Sequence, residues 1–398
     1  MIPMTFTVIF ILFPPRLQPT MGIVLGLIVT IAPTVGPVLG GYLTETYNWE
    51  LLFLINIIPG IVVCVMVWRF LDMDQPDWAL LQKIDFIGIT LIAIFLGCLQ
   101  FVLEEGASKQ WFEDQLIVIL TFIAVFSGIT MVIWELKIPH PIIDLYAFRD
   151  INFTIGCCYS FVLCVGLYTI IYLTPIYLSS VKNLNSLQIG QYLMVVGIFQ
   201  LLSAFLAGFL EKKIDLRWML CLGLGLFALG SWLNSDLTVE SGYWEFFWPQ
   251  AIRGSAIMLC FLPINTLTLG LLPTEEVKNA SGLYNLMRNL GGAIGLAVAN
   301  TQMIYLTKAH YATLRESMTA THYLALDRLT AISQSLQEMN LPDSDLAALG
   351  FLTKLTLREA EVMTFNILFQ VISLMFVASL LVAPLLKKVE KKTSVILE

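Results

Sequence analysis

The sequence predicts an all-α polytopic membrane protein. Of its 398 residues, 58% are hydrophobic and only 13% are charged, whereas soluble domains use about 45–50% apolar and about 25% charged residues. The charged residues stand in short clusters. The apolar runs between them are long enough to cross a bilayer core of about 30 Å as helices that rise about 1.5 Å per residue. This composition excludes a soluble enzyme, a nucleic-acid-binding protein and a disordered chain.

Ten complete spans are predicted between the charge clusters. No run shows the ten-residue alternation of a membrane β-barrel strand, so each span is expected to be a helix. The spans lie near residues 21–44, 51–71, 85–103, 115–135, 153–178, 188–210, 217–235, 245–270, 278–306 and 362–386. Residues 1–13 are apolar but too short to cross, and we interpret them as the end of a further, partial span.

The basic residues predict the orientation of these spans. If the loop that contains Arg16 is cytoplasmic, that side holds thirteen Lys and Arg residues. The short loops of the other side hold only Lys109 and Lys182. Because cytoplasmic loops carry an excess of basic residues, the C-terminus is predicted to be cytoplasmic.

One polar segment, at about residues 308–361, interrupts the pattern on the predicted outer side. It contains helix-like stretches that break at residues 340–343, where Asp343 or Ser344 is suited to cap a following helix. The favoured interpretation is a solvated loop that covers the outer mouth. The alternative is a docking surface for a partner.

The residue types needed for enzyme chemistry are not arranged for it. All seven cysteines lie in apolar runs, and the three histidines, His140, His310 and His322, form no metal-ligand spacing. There is no phosphate-binding loop and no Ser/His/Asp or Cys/His arrangement. We therefore expect no enzyme activity, no cofactor and no metal. The ten spans also contain no Asp or Glu deep in an apolar run, so no proton carrier is evident.

Two arginines, Arg253 and Arg288, lie deep within predicted spans. A charged side chain at that depth costs roughly 2.5–3.5 kcal/mol on insertion scales, so it is expected to face a cavity or a partner. Arg288 and Asn289 follow Asn285 by three and four residues, so the three side chains are expected on one broad helix face. A cavity-lining role is favoured. The alternative is an arginine satisfied by backbone carbonyls at a helix crossing.

Aromatic and amide side chains supply further candidates for an apolar, adaptable cavity. Packing alone is the more frequent role of each such residue. The candidates are Tyr168, Tyr172 and Gln200, with Tyr159 and Met194.

A glycine and proline motif occurs in the first complete span. Gly36 and Gly40 are four residues apart, with Pro33, Pro37 and Gly41 beside them. Small residues at this spacing predict a close approach of another helix, and proline predicts a hinge, because it removes backbone hydrogen bonds. Ordinary small-residue packing is the alternative.

The motif at residues 36–41 resembles the antiporter motif in the fifth span of major facilitator superfamily exporters. Its continuation through Trp49, Phe53, Asn56 and Pro59 is similar to the fourteen-span drug:proton antiporters of the EmrB/QacA type. Further stretches that agree in order are residues 85–88, 141–149, 253–254, 272–273 and 279–295.

This resemblance implies the major facilitator fold and a division of the chain. Residues 1–71 would be a remnant of the N-terminal bundle, namely the end of span four with spans five and six. Residues 72–152 would hold two central extra spans with linkers. Residues 153–398 would form the C-terminal six-helix bundle, including the outer segment 308–361. Three to four N-terminal spans and their proton-coupling carboxylates would be absent, so the chain alone is not expected to catalyse coupled efflux.

The resemblance also implies a function, which is multidrug efflux by proton antiport in the bacterial inner membrane. The expected partners are small amphipathic or hydrophobic compounds, protons, the bilayer and a membrane-fusion protein of a tripartite efflux system. One alternative is an exporter or importer of a specific metabolite with the same fold. Another is a membrane fragment that does not transport and acts only by association.

Overall fold

The computed structural model describes residues 35–70, 85–138, 145–269, 274–317, 323–338 and 343–383, together with Pro14. In these ranges the chain forms α-helices and two short 3-10 turns, with no strand. The helices are α1 (described over 35–46), α2 (Leu51–Phe70), α3 (Phe86–Glu105), α4 (Gln115–Glu135), α5 (Ile151–Ser180), α6 (Ser186–Lys213), α7 (Leu216–Trp232), α8 (Tyr243–Leu269), α9 (Thr274–Ser317), α10 (Tyr323–Glu338) and α11 (Ser344–Val382).

Helices occupy every predicted span that falls on described residues. Seven of them, α2 to α6, α8 and α11, are long and apolar enough to cross a membrane. Helix α7 is apolar but has only 17 residues, and α9 is longer and carries polar residues at both ends. Residues 1–13 and most of the first complete span, including Pro33, lie outside the described residues.

The described part of the polar segment 308–361 is largely helical, as its helix-like stretches predicted, with one helix ending at Glu338 and the next beginning at Ser344. Helix α9 has 44 residues and is therefore about 66 Å long, about twice the thickness of a bilayer core. It continues to Ser317, and α11 begins at Ser344, well before the span predicted from residue 362. We call the described part of residues 308–361 the arm.

Helix α10 packs along α11 within the arm. Leu329, Ile332 and Leu336 are half-buried at helical spacing, and the Ser333 hydroxyl donates a hydrogen bond to Asp345. Helix α10 thus buries one amphipathic face against α11 within the arm. Asp343 directly precedes α11, as predicted for a cap, but its side chain makes no capping hydrogen bond.

Six helices, α5 to α9 and α11, enclose the main hydrophobic core. Helix α8 packs against α6 and α7, α5 packs against α9, and α11 contacts α5, α7 and α9. Large side chains fill the centre, where the rings of Phe227 and Phe376 stack with their centroids 4.2 Å apart. This bundle supplies the rigid frame on which the candidate site is built.

Helices α3 and α4 form a separate pair that touches the bundle through α9. At one end of the pair, the indole nitrogen of Trp134 donates to both oxygens of Asp85, at 3.0 and 3.1 Å. Asp85 also caps α3 by accepting from the Gly88 amide. At the other end, the Trp111 indole donates to Thr301 of α9 at 3.2 Å. These polar contacts join α3 to α4 and join the pair to α9 of the bundle.

Candidate transport site

Helices α1 and α6 cross with their backbones in contact. A Cβ atom added to Gly41 would lie 2.8 Å from the Ser186 carbonyl carbon and closer still to its oxygen. A Cβ added to Gly190 would collide in the same way with the carbonyl group of Pro37. Only glycine fits at either position, so the crossing depends on a pair of glycines, one from each helix.

The glycine of α1 that approaches α6 is Gly41, one residue after Gly40 of the predicted pair. A Cβ on Gly40 would lie 3.6 Å from its nearest described neighbour, a methyl group of Leu52, and one on Gly36 would meet no described atom within 4 Å. The face that approaches α6 runs through Pro37 and Gly41, which are also four residues apart. Because successive helical residues differ by about 100° in direction, this shift turns the contact to another side of the helix.

Helices α5 and α9 also cross closely. A Cβ on Gly295 would lie 2.7 Å from the Val165 carbonyl oxygen, and one on Gly292 would lie 3.0 Å from the ring of Tyr168. One turn along α5, the Tyr172 hydroxyl donates to the side-chain oxygen of Asn300 at 3.1 Å. The two predicted cavity tyrosines thus lie together along the seam between α5 and α9, and both are half-buried.

Arg288 lies on the same seam, one turn before Gly292. Its guanidinium carbon is 4.7 Å from the centre of the Phe261 ring of α8, which is cation–π distance. Its guanidinium also lies beside the Cys164 thiol of α5. No described carboxylate oxygen lies within 4 Å of it, since the one such ion pair of the described residues joins Lys109 and Asp114. Among the described residues, Arg288 is therefore a cation that lies against an aromatic ring and beside a thiol, with no acid within 4 Å.

Two hydroxyl groups accompany this cation. Tyr284 precedes Arg288 by one turn and lies next to Ser160 and Cys164 of α5. Both hydroxyls are buried, and neither makes a well-formed hydrogen bond to a described partner. Buried polar groups normally have partners, so the seam offers hydrogen-bonding capacity beside the guanidinium.

The other residues predicted beside Arg288 are placed differently. The Asn285 amide donates to the Ser281 carbonyl of its own helix at 2.8 Å, and Asn289 is exposed. Gln200 is half-buried on α6, as is Met194. Tyr159 is buried, and its hydroxyl donates to a backbone carbonyl of α11 at 2.9 Å, which is a packing role.

Arg253 does not belong to the Arg288 site. It is 2% exposed and lies among α7, α8 and α11. With the Asn234 amide oriented to satisfy both groups, the two terminal nitrogens of Arg253 donate to its oxygen at 3.1 Å. The guanidinium carbon is 5.7 Å from the centre of the Phe369 ring. The structure does not bring the two predicted arginines together, since Arg253 faces the interior of the bundle.

Sequence reasoning missed Phe261, Cys164, Asn234 and Gly190. The first two are ordinary packing types whose proximity to Arg288 arises only when α5, α8 and α9 assemble. Asn234 could have been identified as a candidate polar partner, since it is an amide directly after an apolar run. Gly190 follows the Asn185–Gln188 capping box that begins α6, which places it in the first turns of that helix.

A sequence model described as the Major Facilitator Superfamily matches residues 1–296. The chain is 34% identical to "Colistin resistance protein EmrB" of Acinetobacter baumannii over 347 residues, which are 87% of this chain and 68% of that protein. It is 30% identical to "Multidrug export protein EmrB" of Escherichia coli K12 over 80% of this chain and 62% of that protein. The chain thus spans less than two thirds of the Escherichia coli relative.

A third relative is "Fatty acid resistance protein FarB" of Neisseria gonorrhoeae, which is 27% identical over 95% of this chain and 73% of that protein. Among solved structures, the chain resembles a bacterial homolog of the human lysosomal transporter Spinster in an inward-facing, unoccupied conformation. The TM-score is 0.51 with 14% identity, over 96% of this chain and 74% of the other. At this identity the likeness shows the fold alone.

Proposed function

Since the chain belongs to the EmrB-type branch of the major facilitator superfamily, we propose that it exports hydrophobic and amphipathic toxic compounds from bacteria in exchange for protons. Apolar helices long enough to cross a membrane support a multi-pass protein. We place it in the inner membrane with its C-terminus in the cytoplasm, on the basis of the basic residues of its loops.

The surroundings of Arg288 are the observation that supports a particular substrate class. A guanidinium without an acidic partner among the described residues is available for a carboxylate, which it binds with two parallel hydrogen bonds. Phe261, Tyr168 and Tyr172 offer apolar surface nearby for the rest of an amphipathic molecule. We therefore propose that amphipathic compounds with an acidic group are preferred substrates. The name of the FarB relative, which refers to fatty acid resistance, agrees with this choice.

The α1–α6 crossing suggests how access to such a site alternates. We propose that residues 1–71 belong to the N-terminal bundle, 72–152 to the central extra spans and 153–398 to the C-terminal bundle. The paired glycines Gly41 and Gly190 then join the two bundles at one end. Rocking of one bundle against the other would separate α1 from α6 and open the cavity on that side.

We propose further that the arm faces away from the cytoplasm and contacts a membrane-fusion protein. Along α11, Leu346, Leu349 and Phe351 are 70%, 52% and 51% exposed. They lie in the part of the helix that exceeds the bilayer thickness. Exposed apolar side chains in such a position support a protein contact.

The proposed substrate class is tested with variants of Arg288 in cells that express the complete gene. Arg288→Ala should reduce the export rate of a long-chain fatty acid at least about tenfold, since a charge-assisted hydrogen bond contributes about 1.5–3 kcal/mol. Arg288→Lys should restore little, because an ammonium does not reproduce the planar fork. Export of tetraphenylphosphonium, an amphipathic cation, should change less.

The matched control is Arg149→Ala, which removes an exposed arginine. It should leave export of both probes unchanged. Membrane content of each variant is measured by immunoblot. Equal loss of the anion and the cation in Arg288→Ala would refute the substrate preference, and unchanged export of both would refute the role of Arg288 altogether.

A further inference from the structure

We propose that a buried polar cluster around Arg253 binds a small inorganic anion with the size of chloride. The Arg253 cluster consists of Asn234, Ser235, Gln250 and Arg253, which lie where the end of α7 and its connection to α8 meet α8 and α11. It is separate from the Arg288 site and does not depend on the substrate class proposed above.

The first argument is an unbalanced charge. The two terminal nitrogens of Arg253 share one neutral acceptor, the Asn234 amide oxygen, and its Nε atom has no hydrogen-bond partner among the described residues. No described carboxylate lies within 4 Å of it. A guanidinium has five N–H groups and is 2% exposed here, so solvent does not compensate for the missing negative charge.

The second argument is a pair of further buried donors on the same two segments as Arg253 and Asn234. Gln250 lies one turn before Arg253 on α8 and is 1% exposed, and neither of its amide atoms has a described partner. Ser235 follows Asn234, is 2% exposed and has an unpartnered hydroxyl. The Arg253 Nε–H, the Gln250 NH₂ and the Ser235 O–H are all donors. A monatomic anion bound among them would accept these hydrogen bonds and supply the counter-charge.

The third argument is enclosure. A Cβ on Gly230 of α7 would lie 2.6 Å from the Cγ atom of Arg253, so α7 packs directly on the stem of the arginine. Phe369 covers the guanidinium from α11. The connection from α7 to α8 is bound to α11, because the Asn366 side chain of α11 donates a hydrogen bond to the Leu237 carbonyl at 2.9 Å. An enclosed position of this kind favours a monatomic ion over a bulky organic anion.

An anion bound there would link the α7–α8 connection to α8, so its main effect should be on stability. The test uses the full chain, purified in detergent, with Tm measured in sodium chloride and sodium gluconate mixtures at constant ionic strength. Chloride should raise Tm by about 2–4 °C in a saturable manner. Bromide should replace chloride, and gluconate should not.

Ser235→Ala removes one donor and keeps the guanidinium, so it should raise the half-saturating chloride concentration about tenfold. Arg253→Gln should abolish the chloride effect, and the exposed control Arg149→Gln should keep it. If Arg253→Gln does not fold, wild type and Ser235→Ala decide the matter. Identical Tm curves in chloride and gluconate for the wild type, or an unchanged half-saturation in Ser235→Ala, would overturn the proposal.

Discussion

Replacing Gly41 by alanine should disturb the crossing of α1 and α6 more than the same change at Gly36. The added methyl carbon would lie 2.8 Å from the carbonyl carbon of Ser186 and 3.0 Å from the Cα atom of Leu187. These are backbone atoms, so no side-chain rotation relieves the overlap, and the two helices must move apart. Overpacking of this kind costs about 1–3 kcal/mol.

That energy applies to the packed state alone if α1 and α6 separate during transport. The equilibrium between packed and separated helices should then shift by about 5–150-fold toward separation. Hydrogen–deuterium exchange of residues 35–46 measures this shift directly, and the export rate should fall with it because the two states are no longer balanced. Gly190→Ala should act in the same direction, since its methyl group would overlap Pro37.

Gly36→Ala is the matched control, because its methyl group would meet no described atom within 4 Å. Exchange of residues 35–46 should be unchanged in this variant. If Gly41→Ala and Gly36→Ala show the same exchange and the same export rate, the crossing does not depend on Gly41, and the reasoning from backbone contact is refuted.

Three further outcomes are expected. Trp134→Phe should lower the free energy of unfolding by about 1.5–3 kcal/mol, since it removes the donor to the Asp85 carboxylate, and an unchanged Tm would show that this bond contributes nothing. In a chain with its own cysteines replaced, an impermeant thiol reagent added outside cells should label a cysteine at Lys109 and spare one at Lys213, and the opposite labelling would reverse the topology. Leu349→Ser should weaken co-purification with a membrane-fusion protein without loss of helix content, whereas undiminished co-purification would place the contact away from this face of the arm.

Hydropathy was sufficient to predict the helices inside the bundle, because lipid requires each backbone to satisfy its own hydrogen bonds. Asp114 and Asp150 accept hydrogen bonds from backbone amides at the starts of their helices. Capping residues of this kind mark helix starts in a sequence. The full lengths of α9 and α11 could not be predicted from the sequence in this way. Outside the bilayer a helix needs only one apolar face, and an average hydropathy over residues 308–361 does not reveal such a face.

The candidate site was readable only in part. The depth of Arg288 in an apolar run was visible, and so was the small-residue character of residues 36–41. The choice between Gly40 and Gly41 depends on the rotation of α1 against α6, which sequence spacing does not determine. Likewise, the partner of Arg253 comes from another helix end, so no local pattern distinguished its buried position from that of Arg288.

The central claim is proton-coupled export of amphipathic compounds, and inverted membrane vesicles test it most directly. The vesicles are prepared from cells that express the complete gene, and their lumen is made acidic. A fluorescent amphipathic carboxylate should accumulate inside, and dissipating the pH gradient should release it. Accumulation no greater than in vesicles without the protein, or accumulation that persists when the gradient is dissipated, would contradict proton-driven export.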